Sequence, residues 1–328
     1  MSAALTSVWV ISDGRRGIEN QALGLAEALA RVTSVNITRK SIGSDPSFAA
    51  LPPRLQILRK SKAVKYGLAA PFPNIAIGCG RQSIAPLRVI KANNPKTFIV
   101  YIQDPRGSYN QFDLIIAPKH DGLKRPNAIS MIGSPNRITE QKLRDAKQAF
   151  QPHLLRYKSP RAAMLIGGRS KAQFIDATHL DQHIETAQIL MKAGYSLFIT
   201  LSRRTDDSTR QAWTQVARDH SDKIWFYDET THDAEPNPYY AFLATSDIIF
   251  VTQDSTNMLT EAYCVTAPVY RLNMAGQTGK FQKLYDGLDG FRDTPPLSTT
   301  LNSSKISYEP LRETDRIAAL VWENYQQF

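Results

Sequence analysis

Short apolar runs alternate with helix-like segments along almost the whole chain, and no hairpin turn separates any two of the runs. Strands that cannot pair through a tight turn must cross over through helices, and right-handed βαβ crossovers build parallel sheets. "SVWVIS" (7–12) is followed by the helix-like "ENQALGLAEALARV", in which Leu23, Ala26, Leu29 and Ala30 fall at helical spacing. "NIAIGCG" (74–80), "KTFIVYIQDP" (96–105), "FDLIIAP" (112–118) and "AISMIG" (128–133) continue as strands, each stopped by Pro, Gly or Asp. "TEQKLRDAKQAFQ" (139–151) closes this half as an amphipathic helix with Thr139 as its cap. After Tyr157 to Pro160 the alternation restarts. "AAMLIGG" (162–168), "SLFITLS" (196–202), "KIWFYD" (223–228), "DIIFVTQ" (247–253) and "PVYRL" (268–272) are interleaved with helices over 176–194, 207–220 and 237–246.

Two consecutive sets of this kind predict an α/β chain of two Rossmann-like parallel-sheet domains facing an interdomain cleft. The expected division is 1–157, 158–309, and a terminal helix over 310–328 packing back across the domains, with Ile317, Leu320, Val321 and Tyr325 on one side. At 328 residues the chain exceeds the size at which one core stops growing, which agrees with two domains. No run reaches the ~20 apolar residues of a membrane helix, and the opening residues read as a strand rather than a signal peptide. Cys79 and Cys264 stand far apart in no metal or redox spacing. A cytoplasmic location, with access to the inner face of a membrane, is the expectation.

Charge is divided unevenly. Residues 1–158 hold 24 Lys/Arg and 9 Asp/Glu (24 − 9 = +15), and residues 159–328 hold 16 and 21 (16 − 21 = −5), which sum to the net +10. "LPPRLQILRKSKAVKYG" (51–67) places Arg54, Arg59, Lys60, Lys62 and Lys65 around Leu55, Ile57, Leu58 and Val64. Such a helix either lies on an anionic membrane or is a solvated surface helix. Without interleaved aromatics or a recognised module, the basic residues do not indicate nucleic-acid binding.

In open parallel sheets ligands sit beyond the carboxyl ends of the strands, so the loops after strands are the candidates. "SDGRRGIENQ" (12–21) offers Gly14 and Gly17, Arg15 and Arg16, and a helix start, without a GxGxxG or Walker pattern. It reads equally as a phosphate or acceptor loop and as a structural turn. "GCGRQS" places Arg81 at a helix start, where a cation opposes the helix dipole unless it faces an anion. "QDPRGS" carries Asp104 and Arg106, and "PKHD" sets His120 beside Asp121, a pair suited to proton transfer or to an ordinary loop.

In the second half, "LIGGRSK" ends a strand with Gly167, Gly168, Arg169, Ser170 and Lys171, a set of N–H groups, hydroxyl and cations that fits a diphosphate. "TLSRRT" adds Ser202, Arg203 and Arg204, and "VTQDSTNMLTEA" adds Asp254, Ser255 and Thr256. One of Asp254 or Ser255 caps the helix. Glu261 lies too far on for a capping box, and a carboxylate there could accept from ribose hydroxyls.

Together these motifs, with "NPYYAFLATSDIIF" and "GKFQKLYDGL", fall in the order found in the mitochondrial-fission family named for elongated mitochondria. Bacterial members of that family are labelled nucleoside-diphosphate-sugar epimerases. The family is similar to GT-B glycosyltransferases, whose nucleotide lies on the C-terminal domain and whose acceptor lies on the N-terminal one. The resemblance implies a donor site at Gly167, Gly168, Ser202, Arg203, Asp254, Ser255 and Glu261. It implies an acceptor side with Asp13, Glu19, Arg81 and Asp104, joined by Arg15, Arg106 and His120 as the other polar groups of the first half. Asp13, Glu19 and Asp104 are then the acid–base candidates, because Ile18 stands where bacterial members often carry histidine. No DxD follows a strand, so metal-independent chemistry is expected, with no cofactor and a nucleoside-diphosphate sugar as substrate. A lipid-linked acceptor or an anionic membrane surface would be the second partner. A non-catalytic adaptor on the same scaffold and a nucleotide-sugar epimerase are the alternatives.

Overall fold

The computed structural model describes residues 5–42, 67–232, 235–279, 281–301 and 306–328. Of the basic segment 51–67, residues 51–66 lie outside the described residues. Two compact units divide the chain: Met1–Arg137 with Arg312–Phe328, and Ile138–Leu311.

In the first unit β1 (Thr6–Ser12), β2 (Val35–Ser41), β3 (Ile75–Cys79), β4 (Phe98–Ile102), β5 (Leu114–Pro118) and β6 (Ala128–Met131) form one parallel sheet in the order β2-β1-β3-β4-β5-β6. Its central strands are apolar on both faces because helices cover both. Val8, Val10, Ile75, Ile77, Val100 and Ile116 pack under the helices Arg16–Val32 and Glu313–Gln327. Ile11, Ala76, Ile99, Tyr101 and Ile115 face the opposite core with Leu87 and Ile90 of the helix Ile84–Asn93. Strand β2, "VNITRKS", carries no apolar run because it is the edge of the sheet and only half-buried, so its sequence gives little strand signal.

The terminal helix belongs to this first unit. Ile317, Ala318 and Val321 are buried in its core, Glu313 accepts the Ile132 N–H at 2.8 Å, and Thr314 accepts the Asn136 N–H at 3.1 Å.

The second unit repeats the plan. β7 (Arg161–Ile166), β9 (Ser196–Leu201), β10 (Ile224–Asp228), β11 (Ile248–Thr252) and β12 (Val269–Leu272) are parallel in the order β10-β9-β7-β11-β12. β8 (Gln173–Phe174) and β13 (Ala275–Gly276) make a separate antiparallel ribbon. Met164, Ile166, Ile199, Leu201, Trp213 and Phe250 lie in its core. The helix Glu140–Ala149, capped by Thr139 accepting from Lys142 N–H at 3.2 Å, also belongs here. The division therefore falls at 137/138 and 311/312 rather than at 157/158 and 309/310. The reason is aromatic: Tyr157 and His153 stack on Trp225 of edge strand β10 at 6.1 and 5.3 Å between centroids, and Phe150 lies 5.7 Å away. A boundary drawn at the Pro160 break cuts through that packing.

In both sheets the strand order reverses beside the first strand. The reversal lies between β1 and β3 in the first unit and between β7 and β11 in the second. A crevice opens at the carboxyl ends of such strands, and ligands of this fold class enter there.

Candidate functional site

The polar strand ends of the second unit converge on Asp254. Its side chain is fully buried, whereas that of its partner Arg204 is 47% exposed. Oδ1 accepts the Thr252 hydroxyl at 2.8 Å, and Oδ2 accepts Arg204 Nη2 at 2.6 Å and the Gly168 N–H at 3.2 Å. Thr252 Oγ1 in turn accepts the Gly167 N–H at 2.7 Å, and Thr205 donates to the Gly167 carbonyl at 2.5 Å. The ends of β7, β9 and β11 are thus held by one carboxylate. Burial pushes the Asp254 carboxyl up, opposed by Arg204 and by the hydroxyl and amide that donate to it.

The two glycines exist for this packing. A Cβ on Gly167 would overlap the Asp254 carboxylate, and one on Gly168 would overlap the Arg204 carbonyl. Because that carbonyl is backbone, Gly168→Ala is expected to destabilise the protein by about 2–3 kcal/mol, the order of overpacking a tight core. Thermal unfolding of the variant checks it.

Ser255, not Asp254, caps the helix Thr256–Tyr263, accepting Met258 N–H at 3.3 Å. Thr256 opens that helix. Ser202 closes its own turn, accepting Arg204 N–H at 3.1 Å, and Ser170 closes the next, accepting Gln173 N–H at 2.9 Å. Arg169 is exposed and lies over the Phe174 ring at 5.0 Å. Arg203 is 54% exposed and 3.7 Å from Glu229. Arg169, Lys171, Arg203 and Arg204 therefore present cations at the ends of β7 and β9, while the glycine N–H groups point inward to protein acceptors.

Glu261 is buried within the same helix, about 7.5 Å below its start at 1.5 Å per residue. Its Oε2 accepts the Tyr239 hydroxyl at 2.7 Å. Burial pushes the Glu261 carboxyl up to about 7, with the Tyr239 hydrogen bond opposing the shift. Tyr239 opens the helix Tyr239–Thr245, which precedes β11 and so begins at the carboxyl-end side of the sheet. Its pairing with Glu261, 22 residues away, had no signal in the sequence.

In the first unit Asp13 is buried at the end of β1. Its Oδ1 accepts the Arg15 N–H at 3.1 Å and its Oδ2 accepts Arg15 Nε at 2.7 Å. Glu19 lies 3.8 Å from Arg39. After β4, Gln103, Arg106 and Ser108 all take positive φ (90°, 55° and 53°), a left-handed run that non-glycine residues rarely adopt. Asp104 accepts the Arg106 N–H at 2.7 Å within it. Arg81 is exposed at the end of β3, and His120 is buried after β5 with Nε2 4.0 Å from Asp121. β1, β3, β4 and β5 are neighbours, so these residues share one edge of the sheet. Among the described residues no group of three His, Cys, Asp or Glu side chains is placed to hold a metal ion.

Two parallel Rossmann-like sheets, each reversing its strand order beside its first strand, define a GT-B-type α/β protein. Solved structures share this fold across nearly the whole chain. UDP-GlcNAc 2-epimerase from Methanocaldococcus jannaschii is 13% identical with a TM-score of 0.54, covering 97% of this chain and 99% of that one. The Neisseria meningitidis UDP-GlcNAc 2-epimerase bound to UDP-GlcNAc is 10% identical with a TM-score of 0.52, covering 98% and 100%. The catalytic domain of starch synthase IV from Arabidopsis thaliana, bound to ADP and acarbose, is 9% identical with a TM-score of 0.52, covering 99% of each chain. At such identities the likeness is one of fold.

Residues 16–325 match the family described as mitochondrial fission ELM1, and the chain belongs to that family. Mitochondrial fission protein ELM1 of Arabidopsis thaliana is 26% identical over 286 residues, or 76% of this chain. The match spans 63% of the plant protein, less than two thirds of its length. The uncharacterized protein RP120 of Rickettsia prowazekii (strain Madrid E) is 22% identical over 353 residues, 96% of this chain and 97% of that protein.

Proposed function

We propose that the second unit binds a nucleoside-diphosphate sugar and that the chain transfers the sugar, without a metal, to an acceptor held by the first unit at or near a membrane surface. Glu261 carries the reading. A carboxyl buried in a helix, held by one phenol and not serving as a cap, costs folding free energy, and such groups concentrate at functional sites. It lies on the helix that leaves the switch point, in a fold whose solved relatives include structures with UDP-GlcNAc and ADP bound. The exposed arginines at the ends of β7 and β9 suit a diphosphate that becomes the leaving group.

The state of Asp13 favours a second reading, a nucleotide-binding scaffold without turnover. Arg15 holds both carboxylate oxygens, and Glu19 faces Arg39, so two of the three carboxylates available to act as base have cations beside them. A carboxylate oxygen already engaged by a guanidinium is less open to the hydroxyl of an acceptor.

Calorimetric titration with UDP, ADP, GDP and CDP tests the binding step, and no heat with any of them would end both readings. A labelled nucleotide-sugar incubated with and without anionic vesicles separates the outcomes. Label passing to an acceptor supports transfer, an altered sugar still on the nucleotide supports epimerisation, and unchanged nucleotide-sugar supports the scaffold.

A further inference from the structure

We infer that Asp254 is a positioning residue for the diphosphate: it touches no ligand itself, and it aims Arg204 and fixes the β7 and β9 loops as a single rim. The inference rests on the nucleotide reading of the second unit. A diphosphate contact for Asp254 is ruled out by its burial and by its partners, since both oxygens already accept hydrogen bonds and Gly167 packs directly against them. Arg204 is different. One guanidinium nitrogen is on Asp254 and another reaches the Arg169 carbonyl at 3.4 Å, yet nearly half of the side chain faces solvent. An arginine has five N–H donors in a rigid fork, so it can keep its carboxylate and still present donors outward.

The loops are interlocked as well. Arg169 N–H donates to the Arg204 carbonyl at 3.1 Å, and Ser202 N–H donates to the Ile166 carbonyl at 2.8 Å. Whatever fixes Arg204 therefore also fixes the loop that carries Arg169 and Lys171. A preorganised cationic rim binds phosphate without first ordering long side chains, which is where affinity is otherwise lost.

Positioning and plain electrostatics predict opposite signs. A carboxylate beside an anion site repels the anion, so neutralising Asp254 would tighten phosphate binding if charge alone mattered. Calorimetry compares wild type, Asp254→Asn, Arg204→Gln and the double variant, using UDP or ADP, whichever binds wild type more tightly, and the matching nucleoside. Asp254→Asn is expected to weaken the diphosphate at least tenfold and to leave the nucleoside within twofold. In the Arg204→Gln background it should add less than twofold. Thr252→Val removes the hydroxyl that donates to Asp254 and accepts the Gly167 N–H while keeping the charge, so it should weaken the diphosphate several-fold even if Asp254→Asn fails to fold. Unchanged or tighter diphosphate binding by Asp254→Asn, equal loss of nucleoside, or independent effects of the two substitutions would overturn the inference. Wild-type protein binding neither nucleotide would instead remove the reading beneath it.

Discussion

Glu261→Gln is expected to stabilise the protein at pH 8 while removing nucleotide affinity. The wild-type carboxyl titrates at about 7 in the folded chain against an ordinary value of 4.5. Between those values the native state holds a proton that the unfolded chain has released. Stability therefore falls as pH rises through that window, and the full penalty is present above about pH 7. The gap corresponds to about 3 kcal/mol. Glutamine keeps an acceptor for the Tyr239 hydroxyl and carries no charge, so it should recover about 1–3 kcal/mol at pH 8 and almost nothing at pH 5. Thermal unfolding at the two pH values checks this. A variant that is equally stable or less stable at pH 8 would mean that Glu261 serves the fold rather than a ligand. Gain of stability with loss of binding is the signature of a residue kept for function.

Arg292→Met is expected to have the largest destabilising effect in the second unit. Arg292 is 2% exposed and its guanidinium donates to four carbonyls, those of Ala267, Tyr263, Val265 and Glu309, at 2.9–3.0 Å. The rings of Tyr263 and Tyr308 each lie 5.0 Å from it. The Tyr263 carbonyl belongs to the last turn of the helix that carries Glu261, so Arg292 ties this helix end, which also accepts the Leu311 N–H at 2.8 Å, to the segments of Val265, Ala267 and Glu309. Methionine fills much of the space and supplies no donor. Losing these buried donors should cost about 3–5 kcal/mol, which lowers the melting temperature by roughly 10 °C for a unit of this size. Lysine should restore only part, because one ammonium cannot span all four carbonyls. Little change in melting would show that water replaces the guanidinium.

The strand-to-helix alternation made both sheets legible, since buried parallel strands write themselves as unbroken apolar runs. Edge strand β2 escaped because half of "VNITRKS" faces solvent, and the β8–β13 ribbon escaped because two-residue strands whose partners are 101 and 103 positions apart leave no pattern. The loops at the carboxyl ends of the strands were also legible, as glycine, serine and arginine clusters. What each residue does there was not. Gly167 and Gly168 read as a phosphate cradle, yet their N–H groups serve Thr252 and Asp254. Asp254 read as a ligand contact or a cap, and it is neither a cap nor exposed, because Arg204 reaches it from 50 residues away. Glu261 stood out because its spacing fitted no capping motif, and in the fold it is a buried carboxyl held by Tyr239 rather than a cap.

Nucleotide at the ends of β7, β9 and β11, with Glu261 on the ribose, is the binding mode proposed for the second unit. A crystal of the protein soaked with UDP or ADP tests it most directly. The diphosphate is expected beside Arg204 and Arg169, with a ribose hydroxyl within hydrogen-bond distance of Glu261. Nucleotide bound elsewhere on the chain, with the Tyr239–Glu261 pair unchanged, would contradict it.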